Sequence, residues 1–216
     1  MSEPTAPPTP TATDAGVIRF GHHGSAAVAS HIIALAGWDE AAVRLGEYDV
    51  TDPFRGVRTQ ELDVMIVKFG LREPDLATSR VLAEDARAVA VGEGHPLAPR
   101  ASVSIEELAD DDTFARPGAF PAYVWDEVVP PRTPAGLTIR RNRAVTSIPE
   151  MLGLVARGEA VHISLLSLAD IAPPGICVVP IHDLPPAPIA LAWHRTRELP
   201  QHLRAFIAAA EAGASR

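Results

Sequence analysis

The sequence predicts an open α/β sheet. Val17–Phe20 is a short apolar run, followed by the turn Gly21-His22-His23-Gly24-Ser25 and an apolar helical stretch from Ala26 to Leu35. Leu62–Val67 (LDVMIV) is almost continuously apolar, as in a central parallel strand buried on both faces. Strand and helix signals alternate between these two segments, which is the pattern of an α/β fold. With 216 residues, 47% of them hydrophobic, the chain can build one large domain or two small lobes around a real core.

Residues 1–15 are rich in Pro, Thr and Ala, with no large apolar side chain after Met1, and read as a disordered tail. After the first helix comes a strand near Ala42–Leu45. Thr51-Asp52-Pro53 then opens a short helix running towards Thr59, with a capping side chain followed by an early proline. Beyond Leu62–Val67, Ser79–Ala83 and Arg87–Val91 are strand candidates. Gly94–Ala98 is a turn, and Ser104-Ile105-Glu106-Glu107 is a capping box opening a short helix. Thr113–Ala115 reads as a strand ending at Arg116-Pro117-Gly118. The stretch from Phe120 to Pro134, interrupted by four prolines, gives no clear element. Thr138–Asn142 is a strand. Thr146-Ser147-Ile148-Pro149-Glu150 is a helix start, and that helix continues to Arg157 with Gly158 as its cap. Val161–Leu166, Ile176–Ile181 and Ile189–Trp193 are further strands, and Leu199–Ala210 is a closing amphipathic helix.

The net charge of −8 argues against a nucleic-acid binder. One cysteine, Cys177, allows no internal disulfide and fits a reducing cytoplasm. No run approaches the roughly 18 apolar residues of a membrane span, and the N-terminus lacks the pattern of a secretory signal. The eight histidines form no metal signature, so no metal is expected. Neither a Walker A loop nor Gly-x-Gly-x-x-Gly is present, so no cofactor is expected.

The glycine turn before the first helix leaves backbone N–H groups free, and the helix dipole behind them favours a carboxylate or phosphate. Ser25 is the best single candidate for a ligand-binding group there. As a nucleophile it is weak, because the turn lacks the nucleophile-elbow order. Of His22 and His23, one caps or packs the turn while the other is solvated, or one binds an anionic ligand or transfers a proton. His95 is read as structural. His162 is a core histidine or, with Ser164 two residues on and on the same face, part of a polar cluster. Lys68 and Arg116 end strands, where open sheets place ligands. Each is either a ligand contact or a solvated strand end. Arg140, Arg141 and Arg143 read as a solvated edge, and Tyr123 and Trp125 as packing.

The order LDVMIV, GHPLA, SIEELADDDTF, IPEMLGLVARGEAVHISLL, PPGICVVPI and PPAPIALAWHR, closed by a final helix, resembles the effector-binding domain of LysR-type transcriptional regulators from Val17 to about Ala210. The resemblance implies the type 2 periplasmic-binding-protein fold: two α/β lobes with a ligand cleft between them. Lobe one would take residues 17–83 plus 192–216 and lobe two residues 84–191, behind a tail over 1–16. By position, it implies ligand contacts from His23, Gly24 and Ser25, from Thr51 or Asp52, and from Pro117, Gly118 and Phe120. Thr146 and Ser147 join them if the second strand-turn-helix mirrors the first. Two departures stand out. The family's winged helix-turn-helix and linker helix have no counterpart here, so DNA binding is not carried over. Val161-His162-Ile163-Ser164 is polar where the family is small and apolar.

The expectation is therefore a cytoplasmic domain holding a small polar or anionic organic ligand, acting as a homodimer or by pairing with a regulator. The alternative is a cofactor-independent isomerase, cyclase or dehydratase using His22, His23, Lys68, His162 and Ser164. That alternative requires at least two of these groups to converge within hydrogen-bond reach.

Overall fold

The computed structural model describes residues 16–144 and 147–215. The tail expected at the N-terminus and Thr146 lie outside them, apart from Gly16. Strand β1 (Ile18–His22) feeds through the glycine turn into helix α1 (Ala26–Leu35), and Ser25 caps that helix by accepting from the Ala27 N–H. Strand β2 (Val43–Glu47), helix α2 (Arg55–Arg58) and strand β3 (Val64–Lys68) complete the predicted alternation. β1 lies between β2 and β3 and runs parallel to both.

β3 is as buried as its composition demands, but only one of its neighbours is parallel. On its other side lies β11 (Ala187–His194), antiparallel, returning from the distal half of the chain. The sheet order is β2-β1-β3-β11-β4, with β5 also on β11. The strand expected over Ser79–Ala83 is instead two strands, β4 (Leu76–Thr78) and β5 (Ala83–Asp85). Ser79 causes the split: its Oγ accepts the Leu191 N–H at 2.9 Å, in place of a backbone carbonyl, and its own N–H donates to the Leu191 carbonyl.

The second sheet is the antiparallel set β10 (Ile176–Pro180), β6 (Arg87–Gly92) and β9 (His162–Leu165), with every residue of β6 buried. Strands β7 (Asp112–Phe114) and β8 (Arg140–Arg143) pair in parallel beside it. The arginines of β8 form ion pairs rather than a free edge: Arg140 and Arg143 with Asp112, Arg141 with Asp126. Ser104 and Glu107 make the predicted capping box, though the helix it opens is one 3₁₀ turn, Ile105–Leu108. The segment without a sequence signal contains helix α3 (Ala122–Val128). Helix α4 (Ile148–Ala156) starts at the Ser147 cap, with proline in its first turn.

Each sheet has its own core. In the first, α1 and the closing helix α5 (Gln201–Ala214) pack on one face, and Phe20 and Trp38 both meet the ring of buried Phe206 edge-on at 5.8 Å. Gly213 makes the helix crossing possible, since a Cβ there would lie 2.1 Å from the Leu35 carbonyl oxygen. Asp63 fastens the sheet edge by accepting from Arg19 (2.6 Å) and Arg197 (2.7 Å). In the second lobe the core gathers β6, β9 and α4 around Ile105, Phe114 and Ile163. The architecture is two α/β lobes, with the carboxyl ends of β1 and β3 facing the second lobe.

Candidate ligand cleft

A cavity of about 180 Å³ lies between the lobes. Its wall is mostly apolar. The first lobe supplies Phe54, Val67 and Phe69; the second supplies Phe114, Phe120, Trp125 and Met151. Of the residues singled out from sequence, His23, Gly24, Ser25, Lys68, Pro117, Phe120, Ser147, His162 and Ser164 line it. His22, Thr51, Asp52, Arg116 and Gly118 do not.

Each of these positions has a local cause. His22 is the last residue of β1, paired with Glu47 of β2, and its side chain stays outside the cavity. His23, one residue on, points inward. Its Nδ1–H donates to the Tyr48 carbonyl at 3.2 Å, because a carbonyl can only accept, and its ring stacks on Tyr48 at 5.5 Å. Burial lowers the His23 pKa, so the ring is neutral near pH 7 and its Nε2 is a free acceptor. Tyr48, half-buried, donates its hydroxyl to the Ile66 carbonyl, and desolvation pushes the phenol up.

Ser25 accepts from Ala27 and donates to Asp170 Oδ2 at 2.5 Å. Asp170 ends the 3₁₀ turn Leu166–Asp170 of the second lobe, so a carboxylate of the chain itself already sits at the α1 N-terminus. Lys68 is neither a solvated strand end nor a free cation. Its Nζ bonds Asp85 Oδ2 and Ser167 Oγ, each at 3.0 Å, and Asp85 also accepts the Ser167 N–H. Arg116 points to its own loop, donating to the carbonyls of Gly118 and Phe120. Thr51 and Gly118 touch each other across the cleft mouth: the Thr51 carbonyl accepts the Ala119 N–H at 2.6 Å. Gly118 has a φ of +44°, and a Cβ on it would lie 2.7 Å from that carbonyl oxygen. Asp52 lies beside a separate, acidic surface hollow.

His162 is buried in β9, with the edge of its ring towards Phe114. Burial pushes its pKa down to about 4, so it is neutral at pH 7. Among the described residues its Nδ1 has no hydrogen-bond partner, and neither has Nε1 of Trp125, which meets Phe120 edge-on. Sequence reading placed Trp125 in packing; it is part of the cavity wall. Behind that wall Arg87 is almost wholly buried and donates to the carbonyls of Ser164, Glu127 and Val128, with Phe69 against its guanidinium. Two of those carbonyls close the C-terminal end of α3, so Arg87 holds the helix that carries Trp125. Arg87 and Asp85 were not singled out from sequence either, although both precede the apolar run Ala88–Val91 and two charges at the mouth of a buried strand are a visible signal. His95 is structural: Nε2 donates to Asp111 and Nδ1 accepts from the Leu97 N–H. Among the described residues, no three His, Cys, Asp or Glu side chains are grouped to hold a metal, and no helix is long and apolar enough to cross a membrane.

Two α/β lobes around a cleft lined from both sides define a ligand-binding domain of the type 2 periplasmic-binding-protein class. The model of the LysR substrate binding domain matches residues 17–215, and the chain belongs to that family. It is 25% identical over 181 residues to the HTH-type transcriptional regulator BudR of Raoultella terrigena, covering 81% of this chain and 62% of that protein. The chain thus spans less than two thirds of that curated relative. The effector-binding domain of QuiR, in complex with shikimate, superposes with a TM-score of 0.69 at 19% identity, covering 93% of this chain and 97% of that one. The effector-binding domain of BenM with its effector benzoate gives 0.65 at 21% identity, with 91% of each chain covered. These two structures share the fold.

Proposed function

We propose that the inter-lobe cavity is the effector site, and that its ligand is a small organic molecule, mostly apolar and carrying one polar end. The single observation behind this reading is the cavity: about 180 Å³, walled mainly by aromatic and aliphatic side chains. An apolar cavity of about 150 Å³ is enough to hold benzene, so the volume suits one small ring and its substituent. The fold-relatives holding shikimate and benzoate are of that size class. With a net charge of −8, residues of this chain are poorly suited to grip DNA; their part is to sense a ligand and pass its presence to a partner, a second copy or a regulator. Among the described residues, no hydrogen bond joins any two of His22, His23, Lys68, His162 and Ser164, which favours binding over turnover. The test is mass spectrometry of the purified protein after incubation with host extract. A compound retained and released unchanged on denaturation, and lost in Ala115→Phe, which fills the cavity, supports the reading. A compound consumed while a new mass grows with time overturns it.

A further inference from the structure

Lys68 is the only lysine in the sequence; every other permanently cationic side chain is arginine. Among the described residues lining the cavity it is also the only charged side chain, since burial keeps His23 and His162 neutral near pH 7. Ion pairing does not account for the choice of lysine. Elsewhere arginine serves that purpose, as in Arg19 with Asp63, Arg58 with Asp75 and Arg141 with Asp126. What lysine has and arginine lacks is an amine that can give up its proton and become a nucleophile.

The amine is held in place at the carboxyl end of β3. An ammonium has three N–H donors. One goes to Asp85 Oδ2 and one to Ser167 Oγ, each at 3.0 Å, and among the described residues the third has no partner. Ser167 lines the cavity as Lys68 does, so the bond between them runs along the wall, and the lysine side chain is 20% exposed. Asp85 is the base within reach, and its other oxygen accepts the Ser167 N–H. The residues flanking Lys68 and Ser167 in the wall are apolar: Val67, Phe69 and Leu168.

We propose that Lys68 captures a small, mostly apolar aldehyde or ketone as an imine, so that the polar end of the effector is a carbonyl group. This rests on the reading of the cavity as the effector site. The ammonium passes one proton to Asp85, and the freed lone pair bonds the carbonyl carbon while the π pair moves to oxygen. That oxygen takes the second nitrogen proton, giving a carbinolamine. Asp85 then returns its proton to the new hydroxyl, water leaves, and the nitrogen lone pair closes the C=N bond. The iminium keeps the positive charge and one N–H, so its pairing with Asp85 persists. The apolar flanks hold back the water that would hydrolyse it, and denaturation, by admitting water, releases the carbonyl compound unchanged.

The probe is benzaldehyde, incubated with the full chain at pH 7, then reduced with sodium cyanoborohydride and followed by intact mass and peptide mapping. One benzyl group is added on Lys68, and its extent saturates with benzaldehyde concentration. Without the reductant, denaturation returns benzaldehyde unchanged. In urea Lys68 is labelled at least about tenfold more slowly, because only about one free lysine in two thousand is an uncharged amine at pH 7. Lys68→Arg keeps a charge for Asp85 and takes no label beyond the chain's α-amino group. Should that variant not fold, the comparison of the unaltered protein in its folded state and in urea carries the test. Label confined to the α-amino group, or Lys68 labelled as fast in urea as in the folded chain, overturns the proposal. If Lys68 takes no label while a host compound is retained, the effector-site reading stands and this assignment falls. If Lys68 takes no label and nothing is retained, both fall.

Discussion

At the first-lobe end of the cavity, Ser25 reaches Asp170, Lys68 reaches Asp85 and Ser167, and His23 reaches Tyr48. At the second-lobe end, Trp125 and His162 are buried, and each leaves a nitrogen with no partner among the described residues. The first set does work within the fold, capping α1 and tying the lobes together. The second set costs the fold stability, since a buried polar atom without a partner keeps its desolvation penalty. Residues that look functional because they are charged or sit at a helix start are the ones the chain satisfies by itself.

Four changes test that contrast. The largest effect belongs to Arg87→Met, which removes the donor holding the end of α3 under Trp125. Three part-buried carbonyls lose their partner, and urea unfolding should show a loss of about 3 kcal/mol. A gain in stability would mean that the buried cation costs more than its bonds return.

Next comes pH. His162 is held down to about 4 by burial, whereas the unfolded ring titrates near 6.5. Above pH 6.5 neither state carries the proton and the group is neutral in its effect. As pH falls from 6.5 to 4 only the unfolded chain takes up the proton, so stability drops by up to about 3 kcal/mol and then levels off. Stability curves from pH 8 to 4 should show this slope, and His162→Leu should flatten it.

At pH 7.5, above that window, His162→Leu should stabilise the ligand-free protein by about 1.5 kcal/mol, because it removes an unpartnered buried nitrogen. The same change should abolish retention of the ligand. Lower stability with retention intact would place His162 in the satisfied set. The smallest effect is Ser25→Ala. Loss of the cap and of the Asp170 bond should cost about 1 kcal/mol in thermal unfolding. Ligand affinity should change less than threefold, whereas a tenfold loss would put the ligand at the helix start after all.

The legible part of the fold is where local rules agree with the tertiary outcome. β1, α1 and β3 announce themselves through apolar runs and the Ser25 cap, and α4 through Ser147, Pro149 and Glu150. α3 is silent because Pro121 at its start offers no capping side chain and its last carbonyls are satisfied by Arg87, about 40 residues earlier. The division of β4 from β5 depends on one serine hydroxyl meeting Leu191, across 112 residues. The site follows the same logic. His23, Gly24 and Ser25 are consecutive, so a single turn places them in the wall. Tyr48, Phe114 and Trp125 come from three separate elements and meet only once both sheets have formed. Lys68 could be seen from sequence, but its partner Asp85 could not, since β3 and β5 are brought together through β11.

One contact at the cleft mouth turns geometry into a handle. Gly118 lies so close to Thr51 that even a methyl group would meet the Thr51 carbonyl oxygen, at a backbone angle that already disfavours any side chain. Gly118→Ala is therefore a wedge driven between the lobes where their backbones touch by hydrogen bond, Ala119 to Thr51. It props the domain ajar without altering any residue of the cavity wall. A shut door and a propped one, made from the same binding surface, separate what the ligand touches from what its capture moves.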